Sequence, residues 1–312
     1  MINRRHIRVK VMQSVYAMQQ SHNDDIVKEE KFLRHSILKM YDLYVLNFQL
    51  LVEVQKFAAN KIELSKKKIL ATAEDLNPNT KFLNNRVINC ISESISLESY
   101  TNLNKLNNWE LDVEYIKIIF DELQKSDLYK NYLSNTDDSF KQDKTFVSDF
   151  FKEIIAPNEK LAEYYEDKMI SWVDDIPFVN TWVLKTMSKL KENGVFVLGN
   201  LYKDKDDEGF VSELFRKTVL KSKDFEKDIM DKTPNWELDR IADIDMILIK
   251  MAIIEFVNFP SIPVRVTINE FIEIAKDYST TKSSYFINGV LDKISKEFLN
   301  DKRIVKIGRG LL

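Results

Sequence analysis

Tyr278, Lys282, Tyr285, Phe286 and Asn288 lie close together within PVRVTINEFIEIAKDYSTTKSSYFINGVLDKI, residues 263–294. Aromatic rings offer faces on which unpaired bases stack, a lysine supplies charge for a phosphate, and an amide can read a base edge. That set of groups could hold a single-stranded nucleic acid. Taken by itself the corner also fits a plainer reading, in which Tyr285 and Phe286 belong to the core and Lys282 is simply solvated.

The elements that must position these groups are two amphipathic helices. Thr267 and Glu270 have capping-box spacing, Val266 and Phe271 occupy the positions of a hydrophobic staple, and Pro263 keeps the chain extended upstream. A helix capped at Thr267 is therefore predicted, with Ile268, Phe271, Ile272 and Ala275 as its buried stripe. The serines closing the 278–284 loop are expected to cap a second helix, whose apolar face is Ile287, Val290, Leu291, Ile294 and Phe298. Asn288-Gly289 has two readings: a base contact, or a structural pair in which Gly289 permits close helix packing.

Charge is concentrated elsewhere. Arg4, Arg5, Arg8 and Lys10 open the chain with no acid before Asp24, and Lys302, Arg303, Lys306 and Arg309 crowd its end against Asp301 alone. The formal net charge is only −3, so the positive potential is local and the chain is no general polycation. Cations at a helix start oppose the macrodipole, which makes the opening cluster either a functional patch or a solvated end.

Six glycines and six prolines in 312 residues leave few tight turns, so long helices are expected and the fold class is all-α. Residues 3–20 form a first helix with Ile7, Val11, Val15 and Met18 on one face and Arg4, Arg5 and Arg8 off it. Residues 25–59 form a second, with Phe32, Leu33, Ile37, Met40, Tyr41 and Tyr44 facing inward. Further helices are predicted at 82–100, 111–123, 146–155, 159–172, 178–190, 210–221, 224–231 and 236–256, with a loop at 202–209. In the 236–256 helix, Ile241, Ile244, Leu248, Met251 and Ala252 are expected to point inward.

The chemistry of an enzyme is hard to find. His6, His22 and His35 have no zinc spacing, Cys90 is the one cysteine, and neither a dinucleotide fingerprint nor a P-loop occurs. No catalytic residues, metal or cofactor are expected. Without a signal-peptide pattern, a possible disulfide or an apolar run long enough to cross a bilayer, a cytoplasmic protein with no membrane association is expected.

The segments NWELDRIADIDMILIKMAIIEF, IPVRVTINEFIEIAKDYS and SSYFINGVLDKI together resemble the NusB family of transcription antitermination factors in order, spacing and residue type. NRRHIRVKVMQSVYAMQQS is similar to that family's opening helix. The resemblance implies a NusB-like helical bundle, here lengthened by a helical insertion: residues 1–59 and 206–312 would form the family domain and 60–205 the insertion. It implies an RNA-binding adaptor without enzymatic activity that binds boxA-like single-stranded RNA together with NusE, a small-subunit ribosomal protein, in a transcription elongation complex on ribosomal RNA operons. The implied RNA-binding residues are Arg4, Arg5, Arg8, Tyr16, Tyr278, Lys282, Phe286 and Asn288, where Lys282 replaces an acidic residue of relatives. Asp245 and Lys250 would face NusE. Two alternatives stay open: a protein-interaction scaffold that has lost RNA contact, and the RNA-docking module of a methyltransferase, for which the insertion lacks glycine-rich strand-helix units.

Overall fold

The computed structural model describes residues 1–233 and 241–311. Among these residues all regular structure is helical, in agreement with the all-α class expected. The chain forms two compact units, one of Met1–Ile37 with Leu201–Leu312 and the other of Leu38–Asn200.

The first unit is organised around the Asp243–Asn258 helix. Ile247, Leu248, Ile249, Met251, Ala252, Ile253, Ile254 and Phe256 are all sealed from water, on every side of the helix. Such a helix has no solvent face to present and must be enclosed. Arg4–Gln20, Lys205–Lys221, Val264–Tyr278 and Ser283–Asn300 pack around it. Each fully buried Ile or Leu contributes about 1.5–3 kcal/mol by leaving water. Of the predicted 236–256 helix, residues 236–240 lie outside the described residues.

Helix starts differ from the expectation in informative ways. The Val264–Tyr278 helix begins one turn early, with Pro263 at its N-cap, because a proline's fixed φ and missing N–H suit a helix start. Thr267 is consequently inside the helix, and its hydroxyl donates to Glu255 Oε1 at 2.6 Å instead of capping. Glu270 turns to arginines of the opening helix, and Val266 is 44% exposed, so neither the capping box nor the staple forms. The Ser283–Asn300 helix likewise has no side-chain cap. Its loop hydroxyls bond one another, Ser279 Oγ to Ser283 Oγ at 2.9 Å and Thr280 Oγ1 with Ser283 Oγ at 2.8 Å. The apolar face Ile287, Val290, Leu291, Ile294 and Phe298 is buried as its spacing predicts. Residues 205–209, expected in a loop, open the Lys205–Lys221 helix, where Asp204 accepts from the Asp207 N–H at 3.0 Å.

After Asn300 the chain is fastened back onto the first unit. Arg303 lies 3.6 Å over the Phe298 ring and pairs with both carboxylate oxygens of Asp228 at 2.7 and 2.9 Å. Ile304 is buried, and Lys306 Nζ donates to the carbonyls of Phe259 at 3.0 Å and Glu255 at 3.4 Å. The Ile307 N–H donates to Pro260 O at 3.0 Å. Gly310 is required by proximity, since a Cβ there would fall 1.9 Å from Pro260 O.

Burial pushes the Lys306 ammonium down to about 8, against a smaller opposing pull from Glu255. Unfolded, the group keeps its proton up to about 10.5. Between those values the unfolded chain binds more protons, so this residue makes stability rise with pH across about 8 to 10.5 and contributes no slope below. The stability difference between the wild type and Lys306→Met is therefore expected to drift in the wild type's favour from pH 8 to pH 10 in urea titrations. A difference independent of pH would contradict it.

The second unit contains most of the Ile26–Lys66 helix, which also supplies the last residues of the first unit's opening segment. The boundary expected at residue 59 falls inside this 41-residue helix, where there is no break for a sequence to display. Leu33, Ile37, Met40, Tyr41 and Tyr44 are buried as predicted, but Phe32 is 56% exposed. The predicted 82–100 helix is two, Arg86–Ser92 and Ile95–Asn104, each capped by its own Asn85 or Ser94. The core is aromatic: Tyr44 stacks on Trp182 at 4.1 Å and Tyr132 on Phe146 at 3.8 Å. Asp143 ties this core together, accepting from Tyr132 Oη at 2.8 Å and from Arg86 Nε at 3.0 Å.

Candidate nucleic-acid interface

Three carboxylates from three other helices answer the arginines of the opening helix. Arg4 Nε donates to Asp207 Oδ1 at 2.7 Å, and Arg5 forms a two-pronged pair with Glu270 at 2.9 Å in both bonds. Arg8 does the same with Glu255 at 2.8 Å twice, with a longer approach of 3.6 Å to Glu270. Opposite charge so placed offsets the unfavourable helix dipole.

Burial separates the three. The Arg4 and Arg5 side chains are 36% and 45% exposed, whereas Arg8 is 2% exposed and its partner Glu255 is fully enclosed. The Arg8 guanidinium lies 5.4 Å from the Phe210 ring centre and 5.8 Å from that of Phe271. Arg8, expected off the apolar face as a phosphate ligand, is instead a core residue that fixes the opening helix to its neighbours.

Arg4 and Arg5 border a cleft of about 680 Å³. Its other walls come from the 261–270 segment, including Arg265, Asn269 and Glu270, and from Arg309 of the carboxy-terminal tail. Arg265 and Arg309 were not among the predicted RNA-binding residues. For Arg265 the signal was its position two residues after Pro263, on the first turn of a helix.

At the far end of the same Val264–Tyr278 helix lies the aromatic corner. Tyr278 and Phe286 are half-buried, and Lys282 and Asn288 are exposed. Tyr285, not among the residues that the family resemblance implies, is 79% exposed and is the ring of this corner most open to solvent. Tyr16 is 38% exposed. Gly289 has open space where a Cβ would sit, so close helix packing does not explain it. Tyr278 lies eight positions after Glu270 of the cleft, about 12 Å along a helix axis.

The two residues expected to face NusE are occupied within the unit. Asp245 is 5% exposed and accepts from Ser279 Oγ at 2.6 Å, which ties the 279–283 loop to the central helix. Lys250 donates to Glu226 Oε1 at 2.7 Å with its side chain 12% exposed. Among the described residues no group of His, Cys, Asp and Glu is arranged to hold a metal ion, and no helix is long and apolar enough to cross a membrane.

A helical bundle with this carboxy-terminal helix order defines the class, and comparison with known proteins supplies the family. Residues 182–296 match the model of the NusB family. The "Transcription antitermination protein NusB" of Salinibacter ruber is 40% identical over 112 residues, which are 36% of this chain and 70% of that protein. Proteins of the same name from Chloroherpeton thalassium and Natranaerobius thermophilus are 41% and 45% identical over 103 and 69 residues, covering 33% and 22% of this chain and 49% of each relative. No solved structure matches. The chain belongs to the NusB family. It spans about half the length of the latter two relatives and is itself longer than its matched part. Tyr278, Lys282, Phe286, Asn288, Asp245 and Lys250 fall inside the match, while Arg4, Arg5, Arg8 and Tyr16 precede it.

Proposed function

We propose that this protein is an RNA-binding adaptor in transcription antitermination, which binds boxA-like single-stranded RNA together with NusE and joins the elongation complex on ribosomal RNA operons. The antitermination role is supported by family membership and by the names of the relatives. The observation that carries the RNA reading is that one helix, Val264–Tyr278, bears an arginine-bordered cleft at its start and an aromatic corner at its end. Arg4 and Arg5 at the cleft and Tyr278, Lys282, Tyr285, Phe286 and Asn288 at the corner would bind RNA, the cations attracting phosphates and the rings stacking on bases. Arg8 serves this surface indirectly, by holding the opening helix in place. Tyr16 would extend it along that helix.

Asp245 would act on NusE through the loop it holds, and Lys250 through the edge it shares with Glu226. Residues 60–205 would be an insertion into the family domain of 1–59 and 206–312. Such an adaptor does no chemistry of its own: RNA and ribosomal protein each strengthen a complex that neither holds tightly alone.

The test is a mobility shift with boxA RNA, with and without NusE. A shift strengthened by NusE is expected. No shift under either condition would leave the scaffold reading in its place.

A further inference from the structure

The arginines that open the chain are already engaged. Asp207 neutralises Arg4, Glu270 neutralises Arg5, and Arg8 is sealed against Glu255. A phosphate approaching Arg4 or Arg5 must compete with a carboxylate held at 2.7–2.9 Å, which removes much of the attraction. The same cleft has two further cations. Arg265 and Arg309 are exposed, and among the described residues neither has a carboxylate partner.

Their placement is built by the fold. Arg265 stands on the first turn of the Val264–Tyr278 helix, where unpaired backbone N–H groups and the positive end of the dipole favour an anion. Arg309 is brought to the same cleft from outside the segment that matches the family, by the fastened tail. Lys306 on the carbonyls of Glu255 and Phe259, the Ile307 N–H on Pro260 O, and the contact of Gly310 with the Pro260 carbonyl set where Arg309 emerges.

We propose that Arg265 and Arg309 form the principal phosphate-binding pair of this cleft and take one phosphodiester of the RNA backbone, with Arg4 and Arg5 secondary. The assignment rests on the RNA-binding reading above. It gives the carboxy-terminal tail a part in binding: the tail carries one of the two ligands.

The test uses the full chain and a fluorescently labelled boxA RNA, with affinity measured by anisotropy across a salt series. Circular dichroism checks that every variant is folded. Arg265→Gln and Arg309→Gln are each expected to weaken binding about fivefold. Together they should flatten the slope of log K against log salt by about 0.7, the value for one lost single-strand phosphate contact. Gly310→Ala keeps every charge but displaces the tail, and is expected to reproduce the Arg309→Gln loss. Arg4→Gln should change affinity by less than either. If the wild type binds and the Arg265 and Arg309 variants keep its affinity and slope, the pair is not the phosphate site. If the wild type fails to bind RNA even with NusE present, the parent reading falls and the assignment with it.

Discussion

Replacing Glu255 with alanine is expected to destabilise the protein by about 3–5 kcal/mol, the cost of leaving a buried charge without its partner. Glu255 is fully enclosed and accepts two hydrogen bonds from Arg8 and one from Thr267. Without it, the Arg8 guanidinium keeps only the longer approach to Glu270 at 3.6 Å. The double replacement Arg8→Met with Glu255→Leu should recover much of the loss, because an apolar pair of similar volume avoids desolvating two charges and Phe210 and Phe271 already flank the site. Urea unfolding followed by circular dichroism measures both. A single variant within about 1 kcal/mol of wild type would mean that this ion pair does not anchor the opening helix.

Phe286→Ala is expected to cost about 1–3 kcal/mol of RNA affinity through lost base stacking. That is roughly five- to 150-fold in Kd. Phe286 is half-buried, so part of any loss could come from the fold, and the thermal midpoint must be measured alongside. Tyr285→Ala separates the two effects: its ring is 79% exposed, so truncation should leave stability unchanged while still weakening RNA binding. Unchanged affinity in both folded variants would remove the aromatic corner from the binding surface.

Much of this arrangement was legible in the sequence, because helical period survives any change of partner. The faces of the Ser283–Asn300 helix and of the Ile26–Lys66 helix follow their spacing, Phe32 excepted. What escaped were features set by tertiary partners. Arg8, Val11, Met12 and Val15 have the i, i+3, i+4, i+7 spacing of a buried stripe, and all four are buried. A basic residue on such a stripe needs a buried acid. Glu255, between Ile254 and Phe256 in the enclosed Asp243–Asn258 helix, is that acid. Thr267 and Glu270 had the right interval for a cap, but Pro263 began the helix a turn earlier and released both for Glu255 and Arg5. Local spacing could not foresee this, since both partners lie on other helices. Arg309 escaped for a related reason: its place in the cleft depends on how the tail, which ends in a short 3-10 turn over Gly308–Leu311, folds back on Pro260.

The arginine-bordered cleft and the aromatic corner are held to bind one RNA. Photocrosslinking of 4-thiouridine-substituted boxA RNA to the full chain with NusE, read by mass spectrometry, tests this most directly. Crosslinked peptides from both the 261–270 segment and the 278–288 corner are predicted. Crosslinks confined to residues 38–200, or none on this chain at all, would contradict the account.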